Sequence, residues 1–313
     1  MRKPFDDASL PPAALGSGAA VWFNIAARRP PKVTETMTTS LTDAQVEAYR
    51  RDGYLSPIRI MPEAAAGKLR AKLEAAEAAQ GGRLEGTLRF KPHLLYTFLD
   101  QLVRNQAVLD AVEGVLGPDI LCWGSSFFTK DADDPGYVSW HQDSTYWGLS
   151  EPDIATAWVA LTPSTPENGC MRVIPGTHTL GQLPHLDTHA KDNMLTRGQV
   201  VDYDVDEGQA VDVVLRPGEM SLHHVRLIHG SNPNPSGIRR IGFAIRYIAP
   251  HVRQLNGPHD SAVLVRGEDR FRYYEREPQP ASDFDPVAVA AHARAAELHG
   301  ALLYQGTDRK PFS

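Results

Sequence analysis

The chain has 313 residues, 42% of them hydrophobic and 22% charged, with a formal net charge of -6, which allows a sizeable folded core. The acidic balance and the lack of a long basic stretch argue against a nucleic-acid partner, and no apolar run approaches the roughly 18 residues of a membrane span. Two cysteines, Cys122 and Cys170, make neither a disulfide scaffold nor a cysteine zinc site, and they fit a reducing, cytoplasmic location.

Arg2 and Lys3 precede a mildly apolar stretch, Ala13 to Ala27, that loosely resembles a signal peptide, but Asp6, Asp7, Asn24 and several glycines dilute it. Residues 1–36 are expected to be a flexible leader or an upstream extension before a second start at Met37, and residues 37–313 a single domain. A helix begins near Thr42, where Thr42 and Gln45 match a capping box, and stops at Gly53. A second, Ala-rich helix runs from Glu63 to Gln80, before Gly81-Gly82. Leu99, Leu102, Leu109, Val112 and Leu116 carry a third helical pattern before Gly117-Pro118.

After Pro118 the texture changes. Short runs of β-formers, Ile120–Phe128, Ile154–Leu161, Met171–Ile174, Val211–Leu215, Met220–Val225 and Ile241–Ile248, alternate with Gly, Pro, Asp and Asn clusters. Such punctuation predicts an antiparallel sandwich or barrel rather than alternating strands and helices. Residues 180–206 are polar and poor in strand signals, as expected of an insertion that forms a lid or binding loop. Asp285–Leu303 reads as a closing helix.

The chemistry centres on Trp140-His141-Gln142-Asp143. On a strand, residues two apart share a face, so His141 and Asp143 offer an imidazole nitrogen and a carboxylate oxygen side by side. A second histidine would complete two histidines and one carboxylate on one face of a metal, the ligand set of non-haem Fe(II) oxygenases. Alone, the pattern is equally a surface strand. His178, His185 and His189 lie in or beside the polar insertion; His223, His224 and His229 are held by a β-run. His229, at the end of Val225-Arg226-Leu227-Ile228 and before a turn, is the preferred ligand. His224 is a candidate outer donor, and His223 is expected to face away. In Ile241–Ile248, alternation puts Arg240, Gly242, Ala244 and Arg246 on one face. An arginine beside small residues on an inward face makes a bidentate fork for a carboxylate, although two exposed arginines, Arg239 and Arg240, opening a strand is the plainer alternative.

Together these residues resemble the phytanoyl-CoA dioxygenase family of Fe(II)/2-oxoglutarate oxygenases. The resemblance runs from about Thr42 to Pro250. It rests on Trp140-His141-Gln142-Asp143-Ser144, Glu167-Asn168-Gly169-Cys170-Met171, Ile174-Pro175-Gly176-Thr177-His178, Pro217-Gly218-Glu219 and Ile228-His229-Gly230-Ser231. It implies a mainly β fold with flanking helices around a double-stranded β-helix (jelly-roll, cupin-like) core. It implies that His141, Asp143 and His229 bind Fe(II), that Arg240 grips the distal carboxylate of 2-oxoglutarate, and that Gln142, Trp158 and His224 line the co-substrate pocket; Trp158 is equally a core aromatic. The implied reaction consumes O2 and 2-oxoglutarate and hydroxylates an unactivated C–H bond, releasing succinate and CO2. One branch of the family, which halogenates, replaces the carboxylate ligand with a small residue; with Asp143 present, hydroxylation is expected.

Two other readings differ in kind: a cupin-type enzyme holding another divalent metal without 2-oxoglutarate, which would not need Arg240, and a non-enzymatic binding barrel, which would be expected to have a damaged ligand set. The substrate is expected to be a small polar or amphipathic metabolite, since the insertion carries few basic residues, Lys191 and Arg197, for a large polyanion. Tyr146 and Trp147 are candidate walls of its pocket.

Overall fold

Thr42 caps helix α1 (Asp43–Asp52) as its sequence predicts: its hydroxyl accepts from the Gln45 amide, and the Gln45 side chain accepts from the Thr42 amide. Gly53 ends the helix at a φ of 78°, a left-handed conformation that glycine adopts without strain. The computed structural model describes residues 40–256 and 260–303, so the expected leader at 1–36 and the start at Met37 lie outside the described residues.

Strand β1 (Tyr54–Arg59) and helix α2 (Glu63–Ala79) follow. The apolar pattern from Leu99 to Leu116 makes two helices, α3 (Thr97–Val103) and α4 (Gln106–Leu116). Asn105 divides them: its side chain accepts from the Val108 amide at 3.3 Å and starts the second helix. Then come β2 (Ile120–Lys130), β3 (Val138–His141), β4 (Ile154–Ala160), β5 (Met171–Val173), β6 (His185–Asp187), β7 (Gln199–Val201), β8 (Val211–Val213), β9 (Glu219–His224), β10 (His229–Ser231), β11 (Arg240–Ile248), β12 (Ser261–Arg266), β13 (Glu275–Arg276) and the closing helix α5 (Pro286–Leu303).

The larger sheet has the order β1-β9-β4-β11-β2-β12-β13 and the smaller one β3-β10-β5-β8; every pairing is antiparallel except β12 with β13. Strand β11 shows how they stack. Ile241, Phe243, Ile245 and Tyr247 are fully buried and share a cluster with Leu99, Val108, Leu109 and Val112 of the helices, and the Tyr247 hydroxyl donates to the Val103 carbonyl at 2.9 Å. The other face of β11 meets the smaller sheet, where Trp158, Met171, Val173, Leu227 and Ala244 form an inner cluster. Both faces of the larger sheet are therefore covered, which is why β11 is largely apolar between Arg240 and Arg246. The chain is mainly β with flanking helices around a jelly-roll core, as expected.

One local expectation is corrected, and two details are added to the sequence reading. Strand β1 is hidden in sequence by Pro57, which the structure tolerates because β1 is a sheet edge with an irregular register between Leu55 and Ile58. The strand-poor insertion holds one short pair, β6 with β7, His185 opposite Val201. Val225–Ile228 is a turn and extended link rather than a strand, so His229 opens β10 instead of ending a longer run.

Candidate metal centre

His141 is the last residue of β3; Gln142 stays extended (φ -108°, ψ 136°), and Asp143 begins a short 3-10 turn. The two-residue alternation therefore survives the strand end and keeps His141 and Asp143 on one side. His229 is the Cα partner of His141 across the β3–β10 pairing, and the two rings lie 4.2 Å apart. The Asp143 Oδ1 atom stands 3.4 Å from His141 Nε2 and 3.8 Å from His229 Nε2. One donor atom from each residue falls within 4.8 Å of the others.

The imidazole tautomers follow from their partners. His141 Nδ1 lies 2.9 Å from the Ser139 carbonyl and 3.0 Å from that of His229, and His229 Nδ1 lies 2.9 Å from the Leu227 carbonyl. Carbonyls only accept, so both Nδ1 atoms donate to them, which leaves both Nε2 atoms facing Asp143. Burial pushes the His229 imidazole well below its ordinary pKa, assisted by the neighbouring His141. For Asp143, burial acts upward, but hydrogen bonding to His141 and His223 and the charges of His229 and His141 hold the carboxyl well below its usual range. Two imidazole nitrogens and a carboxylate oxygen converge, a donor set that fits Fe(II) with positions left open.

The expected places of His223 and His224 are exchanged in the structure. Met220 and Leu222 are wholly buried in the helix-side cluster, which turns Ser221 and His223 toward the smaller sheet. His223 Nε2 is 3.6 Å from Asp143 Oδ2, and its Nδ1 is buried without a partner. His224, expected to line the pocket, points the other way: its Nδ1 accepts from the Arg226 amide at 3.0 Å and its ring lies beside His178. Burial, with His178 and Arg226, pushes its pKa down to about 4. Gln142 is likewise out of the pocket, because it alternates with His141. Its amide donates to the Gly181 and Arg226 carbonyls, both at 2.8 Å, and accepts from the Leu183 amide, pinning the insertion. The Met220–Leu222 alternation was the sequence signal for His223.

A cavity of about 40 Å³ opens beside the triad, with Thr156, Trp158, Ser231, Arg240, Ala244 and Arg246 in its wall. Arg240 is only 2% exposed; it donates to the Gly169 carbonyl, its Nε has no partner, and its guanidinium lies 5.5 Å from the Trp158 ring centre. Trp158 can lie there because Gly242 has no side chain: a Cβ on Gly242 would sit 1.8 Å from the indole. Burial lowers the Arg240 pKa to about 10. A larger cavity of about 340 Å³ adjoins it, sharing Phe128, Asp143 and Arg246, and is walled by Tyr146, Trp147 and residues of the insertion. Arg246 donates to Ser126 Oγ at 2.6 Å and makes no ion pair with a described acid. Among the described residues no helix is long and apolar enough to cross a membrane.

The sequence profile described as Phytanoyl-CoA dioxygenase (PhyH) matches residues 49–242. A probable alpha-ketoglutarate-dependent hypophosphite dioxygenase of Stutzerimonas stutzeri is 31% identical over 170 residues, covering 53% of this chain and 58% of that protein. The chain spans about half the length of the curated relatives it matches. Among solved structures, the apo form of the non-heme monooxygenase ThoJ is 36% identical, with a TM-score of 0.76 over 83% of this chain and 98% of that one. CytC3 with Fe(II) and alpha-ketoglutarate is 26% identical, with a TM-score of 0.57 over 79% and 97%.

Proposed function

The chain belongs to the phytanoyl-CoA dioxygenase family, and from that premise we propose that it is an Fe(II)- and 2-oxoglutarate-dependent dioxygenase that hydroxylates an unactivated C–H bond of a small-molecule metabolite, releasing succinate and CO2. The observation that carries the reading is the convergence of His141, Asp143 and His229 on one point beside a buried arginine that no described acid neutralises.

In this reading His141, Asp143 and His229 hold the iron. When bound, Fe(II) supplies the redox chemistry by which O2 is activated, with 2-oxoglutarate as co-reductant. The protein's contribution is positional. The carbonyls of Ser139, Leu227 and His229 fix both imidazoles, while Thr156 Oγ1, 3.4 Å from Asp143 Oδ2, and His223 steady the carboxylate. Arg240 receives the distal carboxylate of 2-oxoglutarate, and Trp158 walls that end of the cavity. Enclosure keeps bulk water from the reacting groups.

The outer cavity supports an amphipathic substrate. Its aromatic walls, Phe128, Tyr146 and Trp147, suit an apolar body, and Arg246 at the junction with the inner cavity suits an anionic group near the carbon that reacts. The two free, buried cysteines fit a reducing, cytoplasmic setting.

The test is anaerobic titration of the Fe(II)-loaded chain with 2-oxoglutarate, watching for the visible metal-to-ligand charge-transfer band. The band is expected in the wild type and absent from Asp143→Ala. A wild-type protein shown to contain Fe(II) but giving no band would overturn the co-substrate assignment.

A further inference from the structure

The outer cavity holds a buried carboxylate that the metal centre does not use. Arg246, Trp123 and Asp260 all line this cavity, and they stand on three neighbouring strands of the larger sheet. Arg246 of β11 is opposite Gly124, the residue after Trp123 on β2, and Asp260 immediately precedes β12. Adjacent strands lie about 4.8 Å apart, so roughly 10 Å of wall separates the backbones of Arg246 and Asp260. Asp260 is 3% exposed. Its Oδ2 accepts from Trp123 Nε1 at 2.5 Å and its Oδ1 from the Ser261 amide at 2.7 Å, and it makes no ion pair with a described cation. The cations in the same wall are engaged elsewhere: Lys91 with Glu277, Arg197 with Asp187, Arg89 with the Phe127 carbonyl and Arg246 with Ser126. Two neutral donors offset only part of the cost of burying a carboxylate.

His299 of α5 meets the same tryptophan. Its ring stacks on Phe90 at 4.1 Å and meets the Trp123 ring edge-on at 5.9 Å, while Trp147 lies 5.0 Å from Trp123 on another side. The imidazole lines the cavity and forms no hydrogen bond with a described residue. Burial, with the charges of Lys91 and Arg246, lowers its pKa to about 3. At neutral pH the ring is therefore uncharged and keeps one nitrogen lone pair as an acceptor. A carboxylate, an imidazole acceptor and aromatic rings are thus gathered around Trp123, a set that accepts N–H groups and attracts a cation. If Asp260 served only to hold the indole, a neutral acceptor would do so without burying a charge.

We propose that Asp260, with His299 and the Trp123 and Trp147 rings, receives a protonated amine of the substrate, whose anionic end meets Arg246. This rests on the substrate reading of the outer cavity above and narrows it from an amphipathic molecule to a zwitterionic one. Asp260 is a specificity-determining residue. Opposite charges at the two ends admit the molecule in one direction only, which sets the carbon nearest the metal centre.

The experiment uses the full chain loaded with Fe(II) and saturating 2-oxoglutarate under anaerobic conditions. The probes are ω-aminocarboxylates of about four to eight carbons, chosen to bracket the roughly 10 Å between the two wall positions. Each is paired with the plain carboxylate of equal chain length, and dissociation constants are measured by calorimetry. At least one aminocarboxylate is expected to bind about 10-fold or more tightly than its plain partner. Asp260→Asn keeps an oxygen for the Trp123 indole and removes the charge, and it should cut that preference to less than about twofold. His299→Phe keeps the aromatic wall and should reduce the preference by about 2- to 5-fold. If no aminocarboxylate binds more tightly than its plain partner, the case in which neither binds included, the amine site is overturned. If Asp260→Asn keeps the full preference, it is overturned as well, and Asp260 is a tether for Trp123. Should Asp260→Asn not fold, His299→Phe decides by whether the preference falls. Plain carboxylates that bind as well as the amino series remove only the amine site and leave Arg246 as the anionic anchor. An iron-loaded wild type without a charge-transfer band on adding 2-oxoglutarate would instead overturn the co-substrate reading.

Discussion

Among the described residues, two regions bury a lysine, and they treat it in opposite ways. Lys91 reaches Glu277 Oε1 at 2.5 Å and the Ser261 carbonyl at 2.7 Å, with His93 Nε2 3.7 Å from the other carboxylate oxygen; both side chains of the Lys91–Glu277 pair are 1% exposed. Lys130, equally buried, has Ser231, Asn232 and the nearby charge of Arg240, but no acid in contact. The first arrangement is complete within the chain and joins the segment before α3 to the C-terminal part. The second has neutral acceptors and only the more distant charge of Asp134 in its favour. A buried cation with its own acid reads as structure, whereas a buried cation without one, in the wall of a cavity, reads as a binding site.

The contrast is broken or sharpened most strongly by removing the acid from the complete site. Glu277→Leu leaves Lys91 buried and uncompensated, and is expected to cost about 3–5 kcal/mol of stability, measured by urea unfolding. A loss below about 1 kcal/mol would place Lys91 among the tolerated buried cations and dissolve the distinction.

At the other site the largest effect should fall on binding. Arg240→Ala is expected to weaken 2-oxoglutarate about 100-fold or more, a direct charged fork being lost, with little change in the unfolding midpoint of the ligand-free chain. If the midpoint fell as for Glu277→Leu while 2-oxoglutarate bound normally, Arg240 would be a structural cation and not a receptor.

Acid and alkali should separate the two sites. Burial alone would raise the Glu277 pKa, but the Lys91 charge and His93 outweigh it and bring it from 4.5 to about 2. Its contribution is present above pH 4.5 and is lost as pH falls through 2. Burial, with repulsion from Arg240, lowers Lys130 from 10.5 to about 7. The unfolded chain then holds the extra proton between those values, so this group's contribution to stability rises with pH from 7 to 10.5. In ligand-free protein Lys130→Met should abolish that alkaline rise, and Glu277→Leu should leave it. Urea unfolding at a series of pH values checks both.

The smallest effect concerns a side chain next to His141 that does not face the inner cavity. Gln142→Ala should change 2-oxoglutarate affinity by less than about twofold. It should instead raise hydrogen-exchange rates around Gly181–Leu183, whose backbone the amide holds. A tenfold loss of affinity would return Gln142 to the pocket.

Much of the centre was legible along the chain because its rules are local. The His141–Asp143 spacing obeys strand alternation, which outlasts the end of β3 by two residues. The inward face of Arg240, Gly242, Ala244 and Arg246 follows from the apolar run opposite them. The Thr42–Gln45 cap and the Gly53 stop are one-turn features that depend on no distant contact. What was misread lay beside the turn at 225–228: His223 faces Asp143, whereas His224, which the family resemblance put at the pocket, lies against His178.

The sequence by itself determined which residues offer donor atoms to a metal and a cation to a carboxylate, because residue type and a two-residue period are properties of the chain alone. The tertiary structure decided which distant residues share a cavity. His229 stands opposite His141 through the β3–β10 pairing, Lys130 opposite Arg240 through β2–β11, and Ser231 within reach of Lys130 across the space between the sheets. Strand register and sheet stacking set those meetings. Only burial, which no single segment controls, turns two ordinary cations into a site that calls for an anion.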